Sequence, residues 1–197
     1  MFIFDVLKPT TMKLLFPILF LTSIVFGQDS ELFGYVNTYR KANGVSTLRW
    51  DNDLYFAAKA NTNKMLEGDT LLHSGNDTYE CVMMEYTLAP TNDIKIGFET
   101  FLMRYFNMAY VDPASTKDTA DVIKYMLLYV VYSWHCSPAH RGIMLSDDAT
   151  IGSVNINLGV INFKPNYKLV GGQKIEFTKF ISHYEVKTFA TLNLDVE

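Results

Sequence analysis

The sequence predicts an α+β fold, on three observations. Helical periodicities run from Glu31 to about Leu145, alternating strand patterns follow from Ile151 to Val196, and helix and strand do not alternate as βαβ units would require. A first helix runs from Glu31, with Ser30 as its cap and Leu32, Tyr35, Val36 and Tyr39 on one stripe. Asn43-Gly44 ends it, because glycine takes the left-handed C-terminal conformation without a steric penalty. After a link from Val45 to Trp50, Asp51 caps a second helix carrying Leu54, Ala57, Ala58, Asn61 and Met65 at helical spacing, stopped at Gly68.

Residues 69–90 read as polar loop apart from Cys81 to Met84. Asp93 to Tyr110 reads as a helix buried through Ile96, Phe98, Phe101, Leu102, Tyr105 and Phe106, and Asp112-Pro113 breaks it. Its aromatic stripe suits a core, or the wall of a groove for a lipid, sterol or peptide. Thr119 to Trp134 is a strongly apolar helix placed at the core, and Pro138 opens a short helix to about Leu145 with Ser137 as cap. Ile151 to Ile161, Lys174 to His183 and Lys187 to Val196 alternate as strands, with Gly171-Gly172 as punctuation.

The chain is 49% apolar and 19% charged, a balance that supports one sizeable core and argues against disorder. A net charge of -4 without any Lys/Arg block excludes a phosphate-binding footprint, so nucleic acid is not an expected partner. Met12-Lys13, the apolar run Leu14 to Val25, and small residues at Val25 and Gly27 follow the order of a secretory signal peptide cleaved before Gln28. The run is short for a transmembrane span. The expected organisation is a signal peptide at 1–27, with 1–11 as an upstream extension, and a single domain at 28–197. The product is secreted, extracellular or periplasmic, with no stable membrane span once the leader is cleaved.

Chemistry-bearing residues are few. His73 and His140 offer imidazoles suited to a borderline cation such as zinc, and Glu80 can complete a shell, orient an imidazole or take a proton from bound water. Equally, a His-Glu pair can lock two loops without catalysis. His135 is a further ligand, or an exposed or capping residue, and His183 reads as structural. Ser74 and Ser137 sit in no G-x-S-x-G elbow, which argues against a serine hydrolase. Cys81 and Cys136 are the two cysteines. In an exported chain they suggest a disulfide worth about 4 kcal/mol in the chain-entropy account, the alternatives being free thiols or a redox pair. Asn76-Asp77-Thr78 is a glycosylation sequon that reads here as a polar turn.

Several of these segments together resemble a known family. Val36-Asn37-Thr38-Tyr39-Arg40, Leu48-Arg49-Trp50-Asp51 with Leu54 and Ala57-Ala58, His73-Ser74, Glu80, and Trp134 followed by Ser137-Pro138-Ala139-His140-Arg141 and Leu145 are similar to the CAP superfamily of cysteine-rich secretory, antigen-5 and pathogenesis-related proteins, in its bacterial-type form. The resemblance covers about residues 31–160. It implies a three-layer α-β-α sandwich with a small antiparallel sheet between helical layers, and a cleft where His73, Glu80 and His140 converge. Family members with a complete cavity carry a second glutamate near the late tryptophan, whereas Met126 to Trp134 has no acidic residue, and the family's Gly-Glu-Asn reads Tyr79-Glu80-Cys81 here. Glu85 and Glu99 match no motif. The expected function is a secreted protein with a His/Glu surface cleft for a divalent metal, lipid, sterol, peptide or protein ligand, non-catalytic. The alternatives are a metal-assisted hydrolase using Glu80 as base, or a structural or adhesive module with a vestigial cleft.

Overall fold

The structure is a computed structural model and describes residues 27–75, 79–88, 92–110, 119–158, 162–164, 167–170, 173–176 and 183–196. Helix α1 spans residues 27–42, so it already includes Ser30, which is not its N-cap as the sequence suggested. Asp29, one residue earlier, is buried instead. The predicted stop holds: Gly44 has φ +77°, and the Asn43 side chain donates to the Tyr39 carbonyl at 2.7 Å. The following link contains strand β1 (Arg49–Trp50). The Asn37 amide mimics a strand partner beside it, donating to the Leu48 carbonyl and accepting from the Leu48 N–H.

Helix α2 (Asn52–Gly68) is capped by Asp51, whose carboxylate accepts from the Leu54 N–H at 2.9 Å, and it ends at Asp69 in the left-handed conformation. Strand β2 (Tyr79–Leu88) replaces the expected loop. Cys81, Val82 and Met83 are buried in succession, so this strand is covered on both faces and lacks the alternation that would have announced it. Helices α3 (Asn92–Phe106), α4 (Thr119–Cys136) and α5 (Pro138–Met144) follow the predicted order, although Ile96 is exposed. Strand β3 (Ile151–Leu158) leads to β4 (Asn162–Lys164), a separate hairpin of β5 (Tyr167–Val170) and β6 (Gln173–Glu176), and the long β7 (His183–Asp195). The signal peptide apart from Gly27, Asp112-Pro113, the sequon at 76–78 and Gly171-Gly172 lie outside the described residues.

The main sheet runs β1-β3-β7-β2, with β4 also paired to β7. It is mixed where an antiparallel sheet was expected: β1 is parallel to β3, and the other pairings are antiparallel. Alternate residues of β7 divide the layers. Ala190, Leu192 and Leu194 join Val154, Ile156, Cys81 and Met83 in one core with α1, α3 and α4. Phe189 packs with Val82 and Met65 on the α2 side. The result is the expected α-β-α sandwich. The stripe of α4, from Tyr125 to Val131 with Trp134, is buried almost without interruption, and each such side chain contributes roughly 1.5–3 kcal/mol on burial. Among the described residues, no helix is long and apolar enough to cross a membrane.

One charged side chain ties the layers' loops together. Arg40 is fully buried and donates to the carbonyls of Ser46 (2.8 Å), Met144 (2.7 Å), Ser146 (3.0 Å) and Ala149 (3.1 Å). The guanidinium fork satisfies four acceptors across the end of α1 and the α5–β3 link, which no point-charge ammonium can do.

Candidate functional site

Three elements bring the predicted residues together. Glu80, the second residue of β2, is 7% exposed and lies on the α2 face of the sheet, paired in register with Asn193. The loop after α2 carries His73 over it, and His73 Nδ1 is 3.1 Å from Glu80 Oε2. The Ser74 N–H donates to the same oxygen at 2.8 Å, and the Asn61 amide donates to Oε1 at 3.3 Å. Glu80 thus faces three partners, and a carboxylate oxygen opposite Nδ1 favours the form of His73 that carries a proton there.

His140 arrives from the other side. Trp134 is fully buried and its indole N–H donates to the Val82 carbonyl at 3.2 Å, fixing the end of α4 against β2. Ser137 then caps α5, its hydroxyl accepting from the His140 N–H, as predicted. The Cys81 thiol reaches the His140 carbonyl at 3.5 Å. With its backbone so held, the His140 ring lies 6.1 Å from the His73 ring, centroid to centroid. Burial first, and the neighbouring His73 second, hold the His140 pKa below its ordinary value, so this imidazole is neutral at pH 7. Among the described residues, no three His, Cys, Asp or Glu side chains gather closely enough to hold a metal ion together. Glu99 is exposed on α3, and Glu85 acts on Tyr129 further along β2.

The remaining candidates separate. His135 is neither exposed nor a cap: it packs among Tyr39, Phe101, Tyr105 and Tyr132, with Nδ1 2.7 Å from the Tyr39 hydroxyl. Burial and the charges of Arg141 and Arg104 hold its pKa down. The aromatic stripe of α3 is largely core, with Phe98 and Phe101 buried. The expected disulfide is not formed. Cys81 and Cys136 are both free: Cys81 is buried under His140, whereas Cys136 is exposed at the end of α4 beside Tyr132.

Sequence reasoning placed Asn61 only as part of a helical stripe. It belongs to the site, donating also to the Leu72 carbonyl and to Thr191 Oγ1. From there a buried polar seam continues under α2. Thr62 donates to Thr191 Oγ1 at 3.0 Å and lies 3.4 Å from the Asn155 carbonyl, and the Asn155 amide donates to Asp29 at 3.1 Å. The available signal was a polar residue at a buried stripe position, which needs a polar partner.

The sequence model described as "Cysteine-rich secretory protein family" (CAP) matches residues 33–157. No curated protein and no solved structure matches the chain.

Proposed function

We propose that this chain, which belongs to the cysteine-rich secretory protein (CAP) family, is an exported, non-hydrolytic recognition protein whose ligand enters the cleft between His73 and His140. The observation that carries the reading is the condition of Glu80. Its oxygens face Ser74, Asn61 and His73, so the carboxylate is engaged in locking a loop to a strand, which favours a positioning role over that of a general base. Glu80 is a positioning residue on this reading, and metal-assisted hydrolysis loses its base.

Two imidazole acceptors side by side suit a hydroxyl or amide donor, or a divalent cation such as zinc that in turn holds a ligand oxygen. The chain's fit to zinc is partial: His73 and His140 would hold the ion, Glu80 would orient His73 through Nδ1, and a third protein ligand is lacking among the described residues. When bound, the ion would supply a Lewis-acid attachment point. Leu71 and Leu72, the two residues that precede His73 in its loop, are exposed apolar side chains, which favours a ligand with an apolar part such as a lipid, sterol or peptide. The leader pattern at 1–27 supports export.

Calorimetric titration of zinc into the chain tests the shared cleft, beside His73→Ala and His140→Ala. One-to-one binding lost in both variants is the expected result. Binding that survives either substitution would overturn the shared cleft, and wild-type heat equal to dilution would remove the metal from the reading. Glu80→Gln discriminates the hydrolytic alternative, which requires a turnover that this variant abolishes.

A further inference from the structure

A second site lies near the N-terminal end of α2. Phe33, Trp50 and Tyr55, together with Asp29, Ser30 and Asn52, line a cavity of about 420 Å³. The three rings form a continuous aromatic wall: Phe33 meets Trp50 edge-on at 5.0 Å, and Trp50 lies 5.2 Å from Tyr55. The Trp50 N–H donates to Asn52 Oδ1 at 3.1 Å, which pins the indole in place.

Beside these rings, in the lining of the same cavity, sits the Asp29 carboxylate. Asp29 is 1% exposed and accepts from the Tyr55 hydroxyl (3.0 Å), the Asn155 amide (3.1 Å) and the Ile156 N–H (2.8 Å), all neutral donors. Among the described residues no ammonium or guanidinium pairs with it. Lys59, whose Nζ lies 5.9 Å from the Tyr55 ring centroid, acts on Asp29 only from a distance. A buried charge balanced by dipoles alone projects its field into the adjoining cavity, where the low-dielectric walls screen it poorly.

We infer that this cavity binds an organic ammonium group. Aromatic rings and a nearby carboxylate are the two features that hold such a cation in place of water, and this cavity has both. A hard metal cation needs several oxygen ligands, and those of Asp29 are already engaged. An anionic ligand meets the wrong sign. This site shares no residue with the His73/His140 cleft, so the two readings stand or fall separately.

Choline chloride, titrated into the full chain against sodium chloride at equal ionic strength, is the test. Trp50 and Trp134 are the two tryptophans, and Trp134 is fully buried, so the emission change reports on Trp50. Saturable quenching is expected. In calorimetry, Trp50→Leu and Asp29→Asn each weaken binding about tenfold or more, while His73→Ala leaves it unchanged. Thermal unfolding of each variant verifies its fold. Failure of the wild-type chain to bind choline or tetramethylammonium would overturn the inference, as would undiminished binding by folded Asp29→Asn. The ammonium can come from a soluble molecule or a lipid headgroup. Capture by phosphatidylcholine vesicles but not by phosphatidylglycerol vesicles, reversed by free choline, assigns the headgroup; binding of free choline without vesicle capture assigns the soluble source.

Discussion

Asn61 donates to Glu80 Oε1 at 3.3 Å, joining the middle of α2 to the second residue of β2. The same amide holds the Leu72 carbonyl and Thr191. Replacing it by leucine keeps the volume and strands a buried carboxylate oxygen, so Asn61→Leu is expected to lose about 1–3 kcal/mol in urea unfolding. Faster hydrogen exchange at the Ser74 amide should accompany the loss. A change within about 0.5 kcal/mol would mean that the seam does not stabilise the fold.

The depressed pKa of His140 makes stability depend on pH. The unfolded chain takes up this proton as pH falls through 6.5, while the native state, opposed by burial and by His73, takes it up later. Stability present above 6.5 is therefore lost between 6.5 and the lower native value. His135 acts with the same sign, whereas Asp29, raised by burial from 3.8, acts with the opposite sign in a window opening upward from there. Urea midpoints at about pH 7.5 and 5.5 should differ less in His140→Gln than in the wild type. Equal differences would show that His140 titrates normally.

Arg40 is expected to be among the least replaceable residues outside the cleft. Arg40→Met leaves carbonyls of Ser46, Met144, Ser146 and Ala149 without their donor, and hydrogen bonds to a charged group contribute about 1.5–3 kcal/mol each. A loss of at least about 3 kcal/mol is anticipated, and Arg40→Lys should recover little of it because an ammonium lacks the planar fork. Denaturant unfolding of both variants decides it. Full rescue by lysine would contradict the geometry.

Thiol labelling distinguishes the two cysteines. Cys136 is exposed and should react with an aromatic disulfide reagent within minutes in the native protein. Cys81 is buried, and burial pushes its pKa up, so it should react only on unfolding. Reduction should leave the melting temperature unchanged. Two unreactive cysteines that become reactive after reduction would show a bridge.

Much of the helical scaffold was legible because its signals are local. Asp51 and Ser137 cap the helices they were expected to cap, and Gly44 takes the positive φ that ends α1. β2 was not legible, since a strand covered on both faces loses its two-residue period. Ser30 failed as a cap because the chain is already helical before it. The meeting of His73 and His140 came from family resemblance, as spacing alone carries no information about a contact across sixty-odd residues. Asn61 was placed on the buried stripe of its helix but not in the site, and Asp29 was passed over, because the sequence does not show which polar partners such residues will meet. The expected disulfide failed on direction: sequence gives the length of the loop, but not that one thiol faces the core and the other solvent.

β7, the last strand in chain order, is hydrogen-bonded to β3 on one side and to β2 on the other. It also lies outside the segment that matches the family. Before residue 183 has been synthesised, β2 and β3 have no shared partner, and the apolar sides of α2 and α4 have only part of the surface they will cover. Pairing of β2 and β3 into one sheet therefore depends on the non-local contacts that β7 makes with both. The join between the two halves of the sheet is thus carried by residues 183–195, a stretch that the family pattern does not describe.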